Sequence, residues 1–86
     1  MDINILISII KKKISENIRC QSIEVDDKTF LHKNHIGNEQ GKFHIKLTIQ
    51  SEELMKINRI ERNKKIYKIL NNEMKEIIHS LQILIH

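Results

Sequence analysis

Residues 43–50, FHIKLTIQ, decide the fold, because they contain the clearest strand pattern in the sequence. The apolar side chains in this stretch fall on every second position: Phe43, Ile45, Leu47 and Ile49. A period of two places them on one face of a β-strand and the intervening polar residues on the other. The stretch therefore predicts a strand whose apolar face covers a core.

Two further strands are predicted around this one, at residues 22–26 and from residue 80 to the end of the sequence, where apolar and polar residues also alternate. Residues 30–41, FLHKNHIGNEQG, have no sustained period and contain both glycines of the chain. Glycine tolerates backbone conformations that other residues avoid, so this segment is predicted to be a loop. Loops this long in a small domain are often functional.

Helical periodicity accounts for the remaining segments. Apolar residues recur every three or four positions from Ile3 to Ile18, which predicts a helix over residues 3–17 with Asp2 as its N-cap. Ser51 can cap a second helix, which meets a third, longer one at residues 58–61. The predicted order is α-β-β-α-α-β, an α+β fold with a three-stranded mixed sheet and helices on one face.

The predicted core combines the apolar faces of these elements. Its members are Ile7, Ile10, Ile14, Ile23, Val25, Phe43, Ile45, Leu47, Tyr67, Leu70, Met74, Leu81 and Ile83.

The composition excludes several classes of protein. The 86 residues predict one domain over residues 1–86, and a single cysteine excludes both an internal disulfide and a zinc site of the CxxC type. The longest mainly apolar run, residues 3–10, is too short to span a membrane and lacks the flanks of a signal peptide. We expect a soluble cytoplasmic protein without membrane association. Since no nucleotide-binding, nucleophile-elbow or paired-carboxylate motif is present, we expect it not to be an enzyme.

Histidines are the strongest candidates for a metal site, because imidazole binds iron, copper and zinc. His32 and His35 lie in the predicted loop, and His79 begins the last strand. His44 lies on the polar face of the middle strand, and His86 is the last residue. From the residues alone, each could equally be an ordinary surface or hydrogen-bonded histidine. Cys20 is interpreted as a small, half-buried residue.

Residues 56–68 carry six basic side chains and one acidic one. The basic residues are Lys56, Arg59, Arg62, Lys64, Lys65 and Lys68. A basic helix can bind the phosphate backbone of DNA. A solvated lysine face is the interpretation that the composition favours, in a chain whose net charge is +4.

Three stretches resemble the BolA family: SIEVDD at residues 22–27, LHKNHIGNEQGKFHIKLTIQS at 31–51, and YKILNNEMKEIIHSLQI at 67–83. The last is the most specific. It combines an aromatic residue, a Leu70-x-x-Glu73 pair, and the run from Ile78 to Leu81 that contains His79. The resemblance implies an α-β-β-α-α-β fold related to class II KH domains. It also implies pairing with a monothiol glutaredoxin to bind and move a 2Fe–2S cluster, or DNA-binding transcriptional regulation.

The resemblance also implies which residues would act. His79 matches the family's C-terminal histidine, and His35 is the better match to the loop ligand of the His-type branch, with His32 as the alternative. The cluster would be shared with a glutaredoxin cysteine and glutathione, and none is expected in the isolated protein. Whether the apo protein forms a homodimer stays open. The alternative is a regulator that binds DNA weakly through its basic helix, at Arg59, Arg62, Lys64, Lys65 and Lys68.

Overall fold

The computed structural model describes residues 2–29 and 42–86, and it has the predicted α+β architecture. The strands are β1 (Ser22–Asp27), β2 (Phe43–Gln50) and β3 (Ile78–Ile85). β2 is central, antiparallel to β1 and parallel to β3, so the sheet is mixed as expected. The predicted loop, residues 30–41, lies outside the described residues.

The first helix, α1, spans Ile3–Asn17, and the side chain of Asp2 caps it by accepting a hydrogen bond from the backbone N–H of Asn4 at 2.7 Å. Its limits agree with the prediction, but its buried face does not fully agree. Leu6, Ile10 and Ile14 are buried, whereas Ile7 is only partly buried. Apolar residues lie on several faces of this isoleucine-rich helix. Its periodicity therefore did not decide whether Leu6 or Ile7 faces the core.

Three helices connect β2 to β3, where the sequence predicted two. They are α2 (Glu52–Met55), α3 (Arg59–Ile69) and α4 (Asn71–Glu76). The side chains of Ser51 and Asn58 cap α2 and α3. The predicted long helix is interrupted at Leu70, where two asparagines of low helix propensity follow.

This interruption corrects the predicted core. Tyr67 was expected inside because it continues the spacing of Leu70 and Met74, but 42% of its surface is exposed. Ile66 is fully buried instead. The fully or almost fully buried apolar residues are Leu6, Ile10, Ile14, Ile18, Ile45, Leu47, Ile49, Leu54, Ile66, Leu70 and Ile78. Except for Ile7 and Tyr67, the other predicted members pack against this cluster or belong to it.

Candidate functional site

His79 lies at a shift in the sheet register, near the start of β3. Phe43 pairs with Ile78 but His44 pairs with Ser80, so His79 is an additional residue on β3. Bulges of this kind redirect side chains and occur often beside functional sites. His79 is exposed, so its imidazole is accessible to a ligand or to a partner protein.

His44 is the immediate neighbour of His79, and it is buried, with 5% of its surface exposed. The two ring centroids are 4.9 Å apart, and the ring planes meet at 60°, edge to face. Nδ1 of His44 is 2.6 Å from Oγ of Ser80, and the tautomer of the ring decides which of the two donates the proton. This hydrogen bond orients the ring of His44, which in turn restricts the ring of His79.

The backbone of His44 is held by the end of β1. Its N–H donates to Oγ1 of Thr29 at 3.2 Å, and its carbonyl accepts from the N–H of Lys28 at 2.7 Å. Thr29 and Lys42 flank the segment 30–41. The chain therefore enters and leaves this segment close to the pair of histidines.

His32 and His35, the expected loop ligands, fall within residues 30–41 and thus outside the described residues. Within residues 2–29 and 42–86, no group of three or more His, Cys, Asp or Glu side chains could hold a metal ion. The described part of the site consists of one exposed and one buried histidine.

Cys20 lies at the other end of the sheet, where its neighbour Gln21 donates a hydrogen bond to the carbonyl of Gln50. Burial and the negative charge of Glu53 raise the pKa of the Cys20 thiol, and a hydrogen bond with Ser51 opposes them. A raised pKa reduces the fraction of thiolate, the form that binds metals. This agrees with the structural interpretation of Cys20.

The five basic residues expected to contact DNA are divided between two cavities and one exposed position on α3. Arg62 donates from Nε to the carbonyl of Leu54 at 2.7 Å and thereby connects α3 to the end of α2. Arg59 and Arg62 line a cavity beside β3, whereas Lys65 and Lys68 line another beside α1. Lys64 is exposed, with Nζ 3.8 Å from the carboxylate of Glu61.

Sequence reasoning did not predict the burial and contacts of His44, which alternation placed on the polar face of β2. The alternation was correct about the face, but on that face the ring of His44 contacts His79 and Ser80. These contacts depend on the pairing of β2 with β3 and on the register shift at His79. A period of two within one strand contains no information about either.

Comparison with known proteins places these features in a family context. Residues 14–86 match the family model described as "BolA: BolA-like protein". A protein of Haemophilus influenzae named "DNA-binding transcriptional regulator BolA" is 29% identical over 75 residues, which are 87% of this chain and 70% of that protein.

Solved structures have the same fold. The BolA domain of SufE1 from Arabidopsis thaliana superimposes with a TM-score of 0.74 and 28% identity, covering 88% of this chain and 84% of that one. BolA1 from the same plant gives a TM-score of 0.75 with 19% identity, over 91% and 86% of the two chains, and this likeness concerns the fold alone.

Proposed function

The chain belongs to the BolA-like protein family, and we propose that it shares a 2Fe–2S cluster with a monothiol glutaredoxin and passes this cluster on. The observation that carries the proposal is the exposed His79, held at a register shift against the buried ring of His44. The proposed role is that of a cytoplasmic binding protein and not of an enzyme.

The donor chemistry fits such a cargo. A 2Fe–2S cluster requires four ligands, and histidine replaces cysteine as a ligand in some clusters. Imidazole is also a common ligand of iron in other sites. The described residues provide His79, and His35, or His32 in its place, would be the second ligand from this chain. A glutaredoxin cysteine and the thiol of glutathione would provide the other two.

His44 would support His79 without binding the cluster itself. Its Nδ1 is already within hydrogen-bond distance of Ser80, and the residue is almost completely buried. Groups behind a metal ligand fix its ring orientation, and removing them typically lowers metal affinity by about 10–100-fold. The edge-to-face contact between the two rings supports such a role for His44.

The test is to mix the protein with a monothiol glutaredoxin that holds a 2Fe–2S cluster and to record visible absorption and circular dichroism. The mixture should give a spectrum that differs from that of the glutaredoxin alone. His79→Ala should abolish the difference. His44→Ala should lower the affinity of the mixed complex for the cluster by about tenfold, as expected for a residue that supports a ligand.

His86→Ala is the matched control, because His86 is an exposed histidine at the opposite end of β3. It should leave the spectrum of the mixture unchanged. Testing His35→Ala and His32→Ala separately identifies the loop ligand. If His79→Ala gives the wild-type spectrum while its far-ultraviolet circular dichroism shows a folded protein, the proposal is wrong.

DNA binding is the second candidate function, favoured by the name of the Haemophilus influenzae relative and by the exposed lysines of α3. Binding of duplex DNA through Lys64, Lys65 and Lys68 predicts that log K falls with log salt at a slope of about −2.7. Lys68→Gln should make this slope shallower by about 0.9, because one phosphate contact is lost. Lys11→Gln on α1 is the control. A slope that Lys68→Gln leaves unchanged would exclude α3 as the DNA-binding surface.

A further inference from the structure

β3 is an edge strand of the described sheet, with β2 on one side only. The N–H of His86 donates to the carbonyl of Ile49 at 2.9 Å, and its own carbonyl accepts from Ser51 at 3.0 Å, so His86 points its backbone groups to β2. Backbone direction alternates along a strand. The N–H and C=O groups of Ile83 and Ile85 therefore point away from β2.

The two edges of the sheet differ in charge. β1, the other edge, carries Glu24, Asp26 and Asp27, and charged side chains discourage a further strand from pairing. Residues 77–85, IIHSLQILI, contain no Asp, Glu, Lys or Arg and no proline, and His79 is their one titratable side chain. A long, uncharged, apolar edge of this kind is a template for strand addition.

A cavity of about 280 Å³ lies between the end of this edge and α3, and we call it the groove. It is lined by Arg59, Arg62, Asn63, Ile83, Leu84 and Ile85. Further back along β3, the hydroxyl of Tyr67 lies 3.4 Å from the carbonyl of Leu81, a long hydrogen bond that an incoming strand could replace. Leu84 is half exposed on the adjoining face of the sheet.

From this geometry we infer that the groove binds an extended peptide that carries acidic residues. The peptide adds a strand to β3 at Ile83 and Ile85, and its acidic end lies at the exposed Arg59. Arg62 already donates to a backbone carbonyl, so Arg59 is the cation available to a ligand in this groove.

The positive charge of α3 favours an acidic peptide over a second copy of the chain as the ligand of this groove. Pairing β3 with β3 of another copy would bring two basic α3 helices together on one face of the joined sheet. Like charges facing each other oppose association. The pairing positions Ile83 and Ile85 are also separate from the histidine pair, because they lie four and six residues beyond His79 on β3, or about 13 and 20 Å. The inference therefore stands independently of the proposed function.

The probe is an acetylated and amidated hexapeptide of alternating valine and threonine that ends in two glutamates. A second peptide ends in two lysines, and a third is the acidic peptide with alternate backbone nitrogens methylated. Amide signals of the isotope-labelled protein are followed by NMR. The acidic peptide should shift the signals of Ile83 and Ile85 and slow their hydrogen exchange. Arg59→Glu should weaken its binding about fivefold, whereas Lys11→Glu on α1 should not.

Four results would overturn the inference. The lysine-ended or methylated peptide could bind as well as the acidic one, or no shift could occur at Ile83 and Ile85. Without peptide, exchange at these amides could slow with rising protein concentration, which would assign the edge to a second copy of the chain. A single-stranded oligonucleotide could shift the same amides at lower concentration than the peptide, which would assign the groove to nucleic acid.

Discussion

Ile66→Ala should lower the free energy of unfolding by about 3 kcal/mol, measured from the shift of the urea midpoint at unchanged slope. Ile66 is the fully buried residue of α3, and Ile69 of the same helix packs against the core beside it. Removing most of its side chain forfeits apolar burial and leaves a cavity that its neighbours fill only in part. For a domain of this size, such a loss is a large share of the total stability.

Ile60→Ala is the matched control, because it makes the same substitution in the same helix at a residue that is 67% exposed. It should change stability by no more than about 0.5 kcal/mol. Tyr67→Ala should cost about 1 kcal/mol, since it removes a partly exposed side chain and one long hydrogen bond. If Tyr67→Ala were the most costly of the three, the orientation of α3, with Ile66 facing the core and Tyr67 facing outward, would be wrong.

These variants separate what the sequence could predict about the fold from what it could not. The alternation in residues 43–50 predicted β2 with its correct limits, and Asp2 and Ser51 were correctly predicted as N-caps. The phase of α3 was missed, because a break of one residue at Leu70 rotates every helical position that precedes it. Local periodicity predicts that a helix exists, whereas the contacts across the core decide which side faces inward.

In the candidate site, too, local sequence predicted some features, whereas others depend on contacts between distant segments. His79 was singled out from the sequence through its position in a specific motif, and it lies exposed at the register shift in β3. His44 was not, because its contact with His79 requires two strands that are distant in sequence to pair with one particular bulge. The basic residues were singled out because many of them lie close together in the sequence. In the structure, Arg62 is hydrogen-bonded to a backbone carbonyl, and the others line different cavities or are exposed.

Lys13→Met should lower the free energy of unfolding by about 3 kcal/mol, because it leaves a buried carboxylate without its counter-charge. Nζ of Lys13 on α1 is 2.6 Å from Oε2 of Glu73 on α4, and the side chain of Glu73 is only 10% exposed. Among the described residues, Oε1 of Glu73 has no hydrogen-bond partner. Lys13 is thus the interaction that compensates for burying this charge. Urea denaturation of the variant measures the loss.

Substitution of Glu73 should cost less stability than substitution of Lys13. This difference distinguishes the cost of an unpaired buried charge from the strength of the ion pair itself. Glu73→Leu alone should cost only about 1 kcal/mol, because Lys13 is one-third exposed and its flexible side chain can move its ammonium group into water. The double variant Lys13→Met, Glu73→Leu should recover most of the stability lost in Lys13→Met, since an apolar pair replaces the buried ions. Equal losses in both single variants and no recovery in the double would contradict this account. The expected result would assign Glu73, which lies in the most specific stretch of the resemblance, to holding α4 against α1. His79 of the same stretch is exposed and lies outside this buried pair.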